Sequence, residues 1–441
     1  MRLFIAVAII ILSNNIGFSQ DGFRIDEHKN KVVIPFKLVN NLIFIPIKVN
    51  GQELTFLVDT GVEETVLFSL DDNEEINFFN VKKIKLKGMG NSDAIDALKS
   101  SKNKLEINGL YDDNHEIYII LNQDFNFSSQ VGIPVNGIIG YNFFKNHLIE
   151  INYSKKKIFI YNKRSKIEKR INKRFFVENI TLERNKPYLI TEINFESKSV
   201  NSKLLLDTGN SDALWVFQNK LNALQLPKLL IDDYLGRGFS GNVYGKRGRI
   251  PFFKFGNNKF DNPIATFPDS ISTRDVVMVK DRIGSLGGEV FRRFTIIFDY
   301  PKGKLYTRSN DYLNEPFNFN MSGIEIQHDG LEWVNESYLE NPTLGENVFD
   351  SNGKKIFNNF QFKFELKPIF KISNVREGST AAIAGLIIGD KILKINHVEA
   401  HNYTLERINQ ILKSEEDKTI DMVIERNGKT IKVKFQLKTI L

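Results

Sequence analysis

The tripeptide Asp-Thr-Gly occurs twice in this chain of 441 residues, each time at the end of an apolar run. The first copy, Asp59-Thr60-Gly61, follows Phe56-Leu57-Val58, and the second, Asp207-Thr208-Gly209, follows Leu204-Leu205-Leu206. A single copy would carry little weight, because about one chain in ten of this length contains one by chance. The pair is informative because the sequence around the two copies repeats as well.

A second repeated segment lies at nearly the same distance downstream of each tripeptide. Gly137-Ile138-Ile139-Gly140 begins 78 residues after Asp59, and Gly284-Ser285-Leu286-Gly287 begins 77 residues after Asp207. Each segment then leads into an apolar strand pattern and a lysine-bearing turn. Self-similarity on this scale indicates two copies of one supersecondary unit.

Together these features resemble the pepsin/retropepsin clan of aspartic proteases over about residues 30–308. The resemblance implies a mostly β fold with two lobes, each supplying one Asp-Thr-Gly loop and a strand that crosses behind it. The repeated glycine-bearing segments stand where the crossing strands would lie, with Ser285 in place of an apolar residue. Asn50-Gly51, between two strand patterns, predicts a tight hairpin that leads into the first loop.

The resemblance assigns the catalytic role to Asp59 and Asp207, two carboxyl groups that would share one proton and activate a water molecule between them. The threonines are expected to interlock the loops by hydroxyl-to-backbone hydrogen bonds, and the glycines to let each loop turn without a Cβ clash. The clan usually has Ser, Thr or Ala after the glycine, whereas Val62 in this chain has no side-chain donor. The implied supporting residues are Thr60, Gly61, Thr208, Gly209 and Asn210.

Each lobe has a glycine-bearing stretch about thirty residues after its aspartate. In the clan a hairpin at this position, the flap, folds over the substrate, and glycines allow the bending that this requires. An ordinary glycine turn is the alternative in both lobes. The candidate flap residues are Gly88, Met89 and Gly90 in the first lobe and Gly238, Phe239, Ser240 and Gly241 in the second.

A third region follows, in which the run from Ser379 to Asn396 closely resembles the core of bacterial PDZ domains. Such domains bind an extended peptide, often a C-terminus, by adding it as a strand to a sheet edge. By this resemblance Ser322, Gly323 and Ile324 form the carboxylate loop and the start of the edge strand. An insert at about 327–364 has no assigned role. A domain that only packs on the lobes is the structural alternative.

The N-terminal residues predict export. The chain begins with a pattern typical of a secretory signal peptide: a basic residue, the apolar stretch Leu3–Leu12 and polar Ser13-Asn14-Asn15. The apolar stretch is too short to span a bilayer. We expect cleavage after about residue 19 and a periplasmic or extracellular protein. No other stretch reaches about 18 apolar residues, so no transmembrane span is expected. The absence of cysteine excludes a disulfide scaffold and a thiol nucleophile.

The net charge of +7 includes one dense basic stretch within residues 163–174. No aromatic platform accompanies it, so a solvated linker is expected here rather than a nucleic-acid site. The acidic run at residues 71–75 lacks the glycine and spacing of a calcium loop, and His397 and His401 lack supporting carboxylates. Neither predicts a metal site, and no cofactor is expected.

These observations predict a chain of five segments that acts as a monomer, because both lobes belong to one chain. The predicted function is that of an exported aspartic endopeptidase that cleaves polypeptides, with a PDZ domain that binds peptides or protein C-termini. The alternative is a catalytically inactive peptide-binding protein that retains the protease fold. The expected segments are a signal peptide at 1–19, lobe 1 at 20–165, a basic linker at 166–174, lobe 2 at 175–310 and the PDZ domain at 320–441.

Overall fold

The computed structural model describes residues 22–68, 76–86, 95–121, 127–196, 198–220, 225–238, 241–274, 276–339 and 360–441. Strands dominate these residues and the helices are short, which confirms the predicted mostly β fold class. The expected signal segment lies outside the described residues, as do five candidate flap residues, Gly88, Met89, Gly90, Phe239 and Ser240.

The first lobe is built on one large mixed sheet. Its elements are β1 (Arg24–Ile25), β2 (Lys31–Pro35), β3 (Lys37–Val39), β4 (Leu42–Val49), β5 (Gln52–Val58), β6 (Thr65–Leu67), β7 (Lys82–Leu86), β8 (Ile95–Ile107), β9 (Leu110–Ile120), α1 (Phe127–Val131), β10 (Gly137–Ile139), α2 (Tyr141–Phe144), β11 (Leu148–Asn152) and β12 (Lys157–Tyr161). The sheet has the order β1-β9-β6-β10-β5-β4-β8-β7, with β3 beside β4. Asn50 and Gly51 join β4 to β5 with φ angles of 49° and 98°, the conformation that the expected tight hairpin requires.

The second lobe repeats this plan. Its elements are β13 (Phe176–Asn179), β14 (Thr181–Glu183), β15 (Lys186–Phe195), β16 (Lys198–Leu206), β17 (Leu214–Val216), a 3₁₀ turn (Gln218–Lys220), β18 (Leu230–Gly238), β19 (Gly241–Arg249), β20 (Phe252–Phe255), β21 (Asn258–Asp261), β22 (Ile264–Pro268), α4 (Ser270–Thr273), β23 (Arg282–Leu286), α5 (Gly288–Phe291), β24 (Phe294–Asp299), a 3₁₀ turn (Tyr300–Lys302) and β25 (Lys304–Ser309). Its sheet has the order β18-β19-β22-β17-β23-β16-β15-β20-β21, with β14 beside β15.

A second sheet joins the two lobes, in the order β13-β25-β24-β11-β12-β2. Its central pair consists of the two repeated strands, which run antiparallel with Ile149 opposite Phe298. Every residue of β11 and β24 is buried. Burial of this apolar surface from both lobes in one sheet stabilises their relative position and therefore that of the two loops.

The basic segment between the lobes differs from the solvated linker expected at 166–174. It forms a helix, α3 (Ser165–Arg174), whose Ile167 and Ile171 are buried against the shared sheet. Arg170 pairs with the almost fully buried carboxylate of Glu150 on β11. A buried carboxylate needs such a partner, so part of the basic charge is structural.

The C-terminal region folds around a smaller sheet. Its elements are β26 (Ile324–Leu339), β27 (Phe360–Val375), α6 (Thr380–Ile383), β28 (Lys391–Ile395), β29 (Val398–Glu399), a 3₁₀ turn (Ala400–Asn402), α7 (Leu405–Leu412), β30 (Thr419–Arg426) and β31 (Lys429–Gln436). The sheet has the order β26-β27-β28-β30-β31, with β29 beside β28.

Much of the insert expected at about 327–364 continues this sheet. β26 and β27 pair along their whole length, from Ile324 opposite Val375 to Leu339 opposite Phe360. Residues 340–359, which would join the two strands, lie outside the described residues. The described part of the insert is therefore a long two-stranded arm rather than a separate surface element.

Candidate active site

The two Asp-Thr-Gly loops are held by equivalent crossing strands. β10 runs parallel to β5 behind the first loop, and β23 runs parallel to β16 behind the second. The amide of Asp59 donates to the carbonyl of Ile139 at 3.0 Å, and the amide of Asp207 donates to that of Leu286 at 2.9 Å. The repeated segments thus place both aspartates at equivalent points in the two lobes.

The threonines of the two loops interlock, as the resemblance implied. The Thr60 hydroxyl donates to the Leu206 carbonyl at 2.6 Å and accepts the amide of Thr208 at 3.0 Å. The Thr208 hydroxyl donates to the Val58 carbonyl at 2.8 Å and accepts the amide of Thr60 at 3.0 Å. Both side chains are about 1% exposed, so water does not compete for these bonds.

Each carboxyl group lies against the glycine of the opposite loop. A Cβ atom at Gly209 would lie 2.1 Å from Asp59 Oδ2, and one at Gly61 would lie 2.8 Å from Asp207 Oδ1. Only glycine leaves room for this approach. The Gly61 amide also donates to Asp59 Oδ1 at 2.6 Å, and the charge of Asp207 is close enough to raise the pKa of Asp59. The structure therefore brings Asp59 and Asp207 together as one pair.

The two aspartates have different electrostatic surroundings. Burial and the charge of Asp207 raise the pKa of Asp59. Burial also raises the pKa of Asp207, but the positive charges of Arg282 and Lys186 and a hydrogen bond from Asp59 oppose this increase. Because like charges at this distance cannot both ionise readily, the pair holds one proton. Lys186 acts on both aspartates, whereas Arg282 acts on Asp207 and therefore favours Asp59 as the carrier of the proton.

Neither cation was predicted from the sequence. Lys186 begins β15 and lines the cleft, and Arg282 begins β23. Arg282 donates from Nη2 to the Ser285 hydroxyl at 2.8 Å and lies over the ring of Phe217. Ser285 in place of an apolar residue was the available signal, because a buried hydroxyl there needs a polar partner.

The residues after the glycines do not contact the carboxyl groups in the way the clan pattern suggests. The side-chain oxygen of Asn210 accepts the amide of Asp212 at 2.9 Å and so shapes the loop. Val62 packs against the core of lobe 1 and uses its carbonyl to accept the amide of Tyr141 at 3.1 Å. Both residues stabilise loop geometry.

A cavity of about 1000 Å³ surrounds the aspartate pair. β18 and β19 form a hairpin beside it, and residues of this hairpin on both sides of its tip line the cavity, including Gly238 and Tyr244. Gly241, the first residue of β19, pairs with Gly238 at the tip. Among the described residues of β7 and β8, none lines the cavity. The flap candidates between these two strands, Gly88, Met89 and Gly90, lie outside the described residues, so only the hairpin of lobe 2 is seen beside the cavity.

The comparisons with known proteins agree with both resemblances. Residues 45–143 match the family model for aspartyl proteases, and residues 371–426 match the family model for PDZ domains. The chain combines an aspartyl protease domain with a PDZ domain. A solved aspartic proteinase from Irpex lacteus aligns with 65% of this chain and 100% of its own, at 13% identity and a TM-score of 0.42. No curated protein matches the chain.

A series of ion pairs links the protease cleft to the PDZ domain. Arg247 on β19 pairs with Asp212 beside the second loop at 2.9 Å and with Asp233 on β18 at 2.7 Å. Asp233 also pairs with Arg376 of the PDZ domain at 3.4 Å. Glu325 at the start of β26 adds a third carboxyl group to this cluster. These residues are far apart in sequence, and no local pattern marks them.

The carboxylate loop expected in the PDZ domain is already hydrogen-bonded internally. Asn320 Oδ1 accepts the amides of Ser322 at 3.1 Å and Gly323 at 3.3 Å. The Ser322 hydroxyl accepts the amide of Ile324 at 3.3 Å. Ser322 and Ile324 are fully buried. The structure therefore gives no support to capture of a C-terminal carboxylate by these three amides.

Among the described residues, no helix is both long and apolar enough to span a membrane.

Proposed function

We propose that this chain is an exported aspartic endopeptidase that hydrolyses peptide bonds with a water molecule activated between Asp59 and Asp207. The observation that carries the proposal is the threonine interlock, which brings the buried Asp59 and the partly buried Asp207 from separate lobes into one pair. A shared-proton carboxyl pair is an arrangement that aspartic proteases use.

In the proposed mechanism the two aspartates have different roles. Asp207, near Arg282 and Lys186, is the ionised carboxylate and accepts a proton from the attacking water. Asp59 carries the shared proton and donates a hydrogen bond to the substrate carbonyl as negative charge develops on its oxygen. The β18–β19 hairpin excludes solvent from the bound peptide.

The shape of the site supports a proposal for the substrate class. The cavity is larger than a single side chain needs, and it runs between both lobes and the PDZ domain. We propose an extended polypeptide as the substrate, and the PDZ domain as a second peptide-binding element. Export to a periplasm or the medium rests on the signal-like sequence of residues 1–19.

The test is cleavage of a diverse peptide library by residues 20–441, followed by mass spectrometry between pH 3 and pH 8. Asp59→Asn and Asp207→Asn are each expected to lower the rate by about 10²–10⁴-fold, because one carboxyl group cannot act as base and acid together. Circular dichroism checks that both variants stay folded. Substantial cleavage by either variant would place the chemistry elsewhere.

The alternative, an inactive peptide-binding protein, predicts a different result from the same material. Peptides would then bind to the wild-type protein without cleavage at any pH in this range, and both asparagine variants would bind equally well. Turnover that depends on both aspartates excludes this alternative.

A further inference from the structure

The binding face of the PDZ domain lines the same cavity as the aspartate pair. Glu325 and Gln327 of β26 and Asn409 on α7 share this cavity with Asp59 and Asp207. In PDZ domains a peptide binds between these two kinds of element, beside an edge strand and along a helix. The peptide groove and the protease cleft are therefore one continuous space.

β26 is able to accept an added strand. It is the last strand of its sheet, with β27 on one side and no strand on the other side among the described residues. The carbonyl of Ile324 is already used, because it accepts from Asn320 Nδ2 at 2.7 Å. The carbonyl of Glu325 accepts the Ser373 hydroxyl of β27 at 3.2 Å. The free edge thus begins after Glu325, and an unpaired edge of this kind is a template for an extended peptide.

The groove faces the protease lobes. Helix α1 of lobe 1 packs against β26. Gly132, just after α1, lies against Leu405, the first residue of α7, so closely that an added Cβ would stand 2.7 Å from Leu405 Cβ. Lobe 1 therefore covers the end of the groove beside Leu405. The part lined by Gln327 and Asn409 stays open to the cavity that holds the aspartate pair.

We propose that the edge of β26 and helix α7 bind an internal extended segment of the same polypeptide that is cleaved at Asp59 and Asp207. This inference rests on the proposed protease function and names its substrate: an unfolded polypeptide long enough to reach both sites. A free C-terminus is not required, since the amides of Ser322, Gly323 and Ile324 are paired within the protein.

The experiment compares two versions of one cleaved sequence in the full chain. The long peptide has about twelve residues and spans roughly 40 Å when extended, whereas the short peptide has about six residues around the same scissile bond. The test variant is Asn409→Trp, which places a large ring on the side of α7 that lines the groove. The control is Gln410→Trp, which places the same ring on the next residue, where the side chain is exposed and does not line the cavity. The readouts are kcat/KM for each peptide and the affinity of each labelled peptide for the Asp207→Asn variant.

Wild-type protein is expected to cleave the long peptide at least about tenfold more efficiently than the short one, the effect of one additional good contact. Asn409→Trp should reduce this ratio towards one, and Gln410→Trp should preserve it. Equal kcat/KM for the two lengths, or an unchanged ratio in Asn409→Trp, overturns the inference while leaving the protease function intact.

Binding separates failure of the inference from failure of the protease function. If no peptide is cleaved, the inference of a shared groove is still supported when Asn409→Trp weakens binding of the long peptide. It is overturned when binding depends neither on peptide length nor on Asn409. Free-acid and amidated long peptides are expected to bind equally. A free acid that binds at least about tenfold tighter would show C-terminal capture instead of an internal segment.

Discussion

The two aspartates occupy equivalent backbone positions but have unequal neighbours. Burial raises the pKa of both aspartates, and the nearby charge of Asp207 raises that of Asp59 further. Lys186 opposes the increase at both, whereas Arg282 opposes it at Asp207. Arg282 is 6% exposed, so its charge is little screened by water. The fold places the two aspartates equivalently, but their unequal charged neighbours favour Asp59 as the carrier of the shared proton.

Replacement of Arg282 by Met is expected to move the acid limb of the pH profile of kcat/KM to higher pH. The acid limb reports ionisation of Asp207 in the free enzyme, and without the cation the pKa of Asp207 rises. The measurement is kcat/KM against pH with one peptide substrate. Arg282→Lys retains the charge and should keep the wild-type acid limb. An unchanged limb in Arg282→Met would mean that Arg282 has only a structural role.

Among the elements, the β18–β19 hairpin is held by one arginine at its base. Arg247 on β19 bridges Asp233 on β18 and Asp212 beside the catalytic loop, and it donates to the Thr266 hydroxyl on β22 at 3.0 Å. The negative charges of Asp212 and Asp233 raise the pKa of Arg247 despite its burial. The hairpin is therefore tied to the loop that follows Asp207.

Arg247→Leu is expected to destabilise the protein by roughly 3 kcal/mol, because it leaves two largely buried carboxylates without this partner. It should also lower kcat/KM, since the flap loses its anchor to the catalytic loop. Urea unfolding and peptide kinetics measure the two effects.

The control for Arg247→Leu is Lys246→Leu on the same strand. It breaks a pair with the exposed Asp232 and should lower the free energy of unfolding by less than about 1 kcal/mol. Equal costs for the two variants would contradict this account.

At the scale of the whole molecule, the PDZ domain contacts both protease lobes. It meets lobe 1 through α1 against β26 and lobe 2 through Arg376 and Asp233. Glu325 lies at this junction, where burial and the charge of Asp233 raise its pKa to about 7. The cations that oppose the increase are Lys413, Arg247 and Arg376.

Glu325→Gln is expected to be more stable than wild type at pH 8 and equally stable near pH 4. Because the folded pKa of Glu325 is above its unfolded value of 4.5, its stabilising contribution is complete below about pH 4.5 and is lost as the pH rises through about 7. The gain at pH 8 should be about 1 kcal/mol, since the carboxyl group lines the open cleft and is partly hydrated.

Urea unfolding at both pH values measures this difference. The control is Glu332→Gln further along β26, where the carboxylate pairs with Lys391. It should change stability by less than about 1 kcal/mol at either pH. Destabilisation of Glu325→Gln at pH 8 would show that the ionised glutamate is favoured by its cations.

Much of the architecture could be predicted from the sequence because its signals are local. The two tripeptides and their matched downstream segments predicted two lobes, and Asn50-Gly51 predicted a hairpin whose positive φ angles suit those residues. The run from Ser379 to Asn396 predicted a PDZ domain in the same way. Each of these features is encoded by neighbouring residues, or by a pattern that repeats at a constant spacing.

Only the tertiary structure decided which charged side chains and which sheet edge lie together at the cleft. Arg164 pairs with the buried Asp299, 135 residues away, so a basic run that looks like a solvated linker is partly internal. The PDZ groove lines the same cavity as the aspartate pair. In the carboxylate loop, Asn320 Oδ1 accepts the backbone amide of Ser322. Such contacts depend on how separate units pack, because electrostatic and hydrogen-bond partners are set by distance in space rather than along the chain.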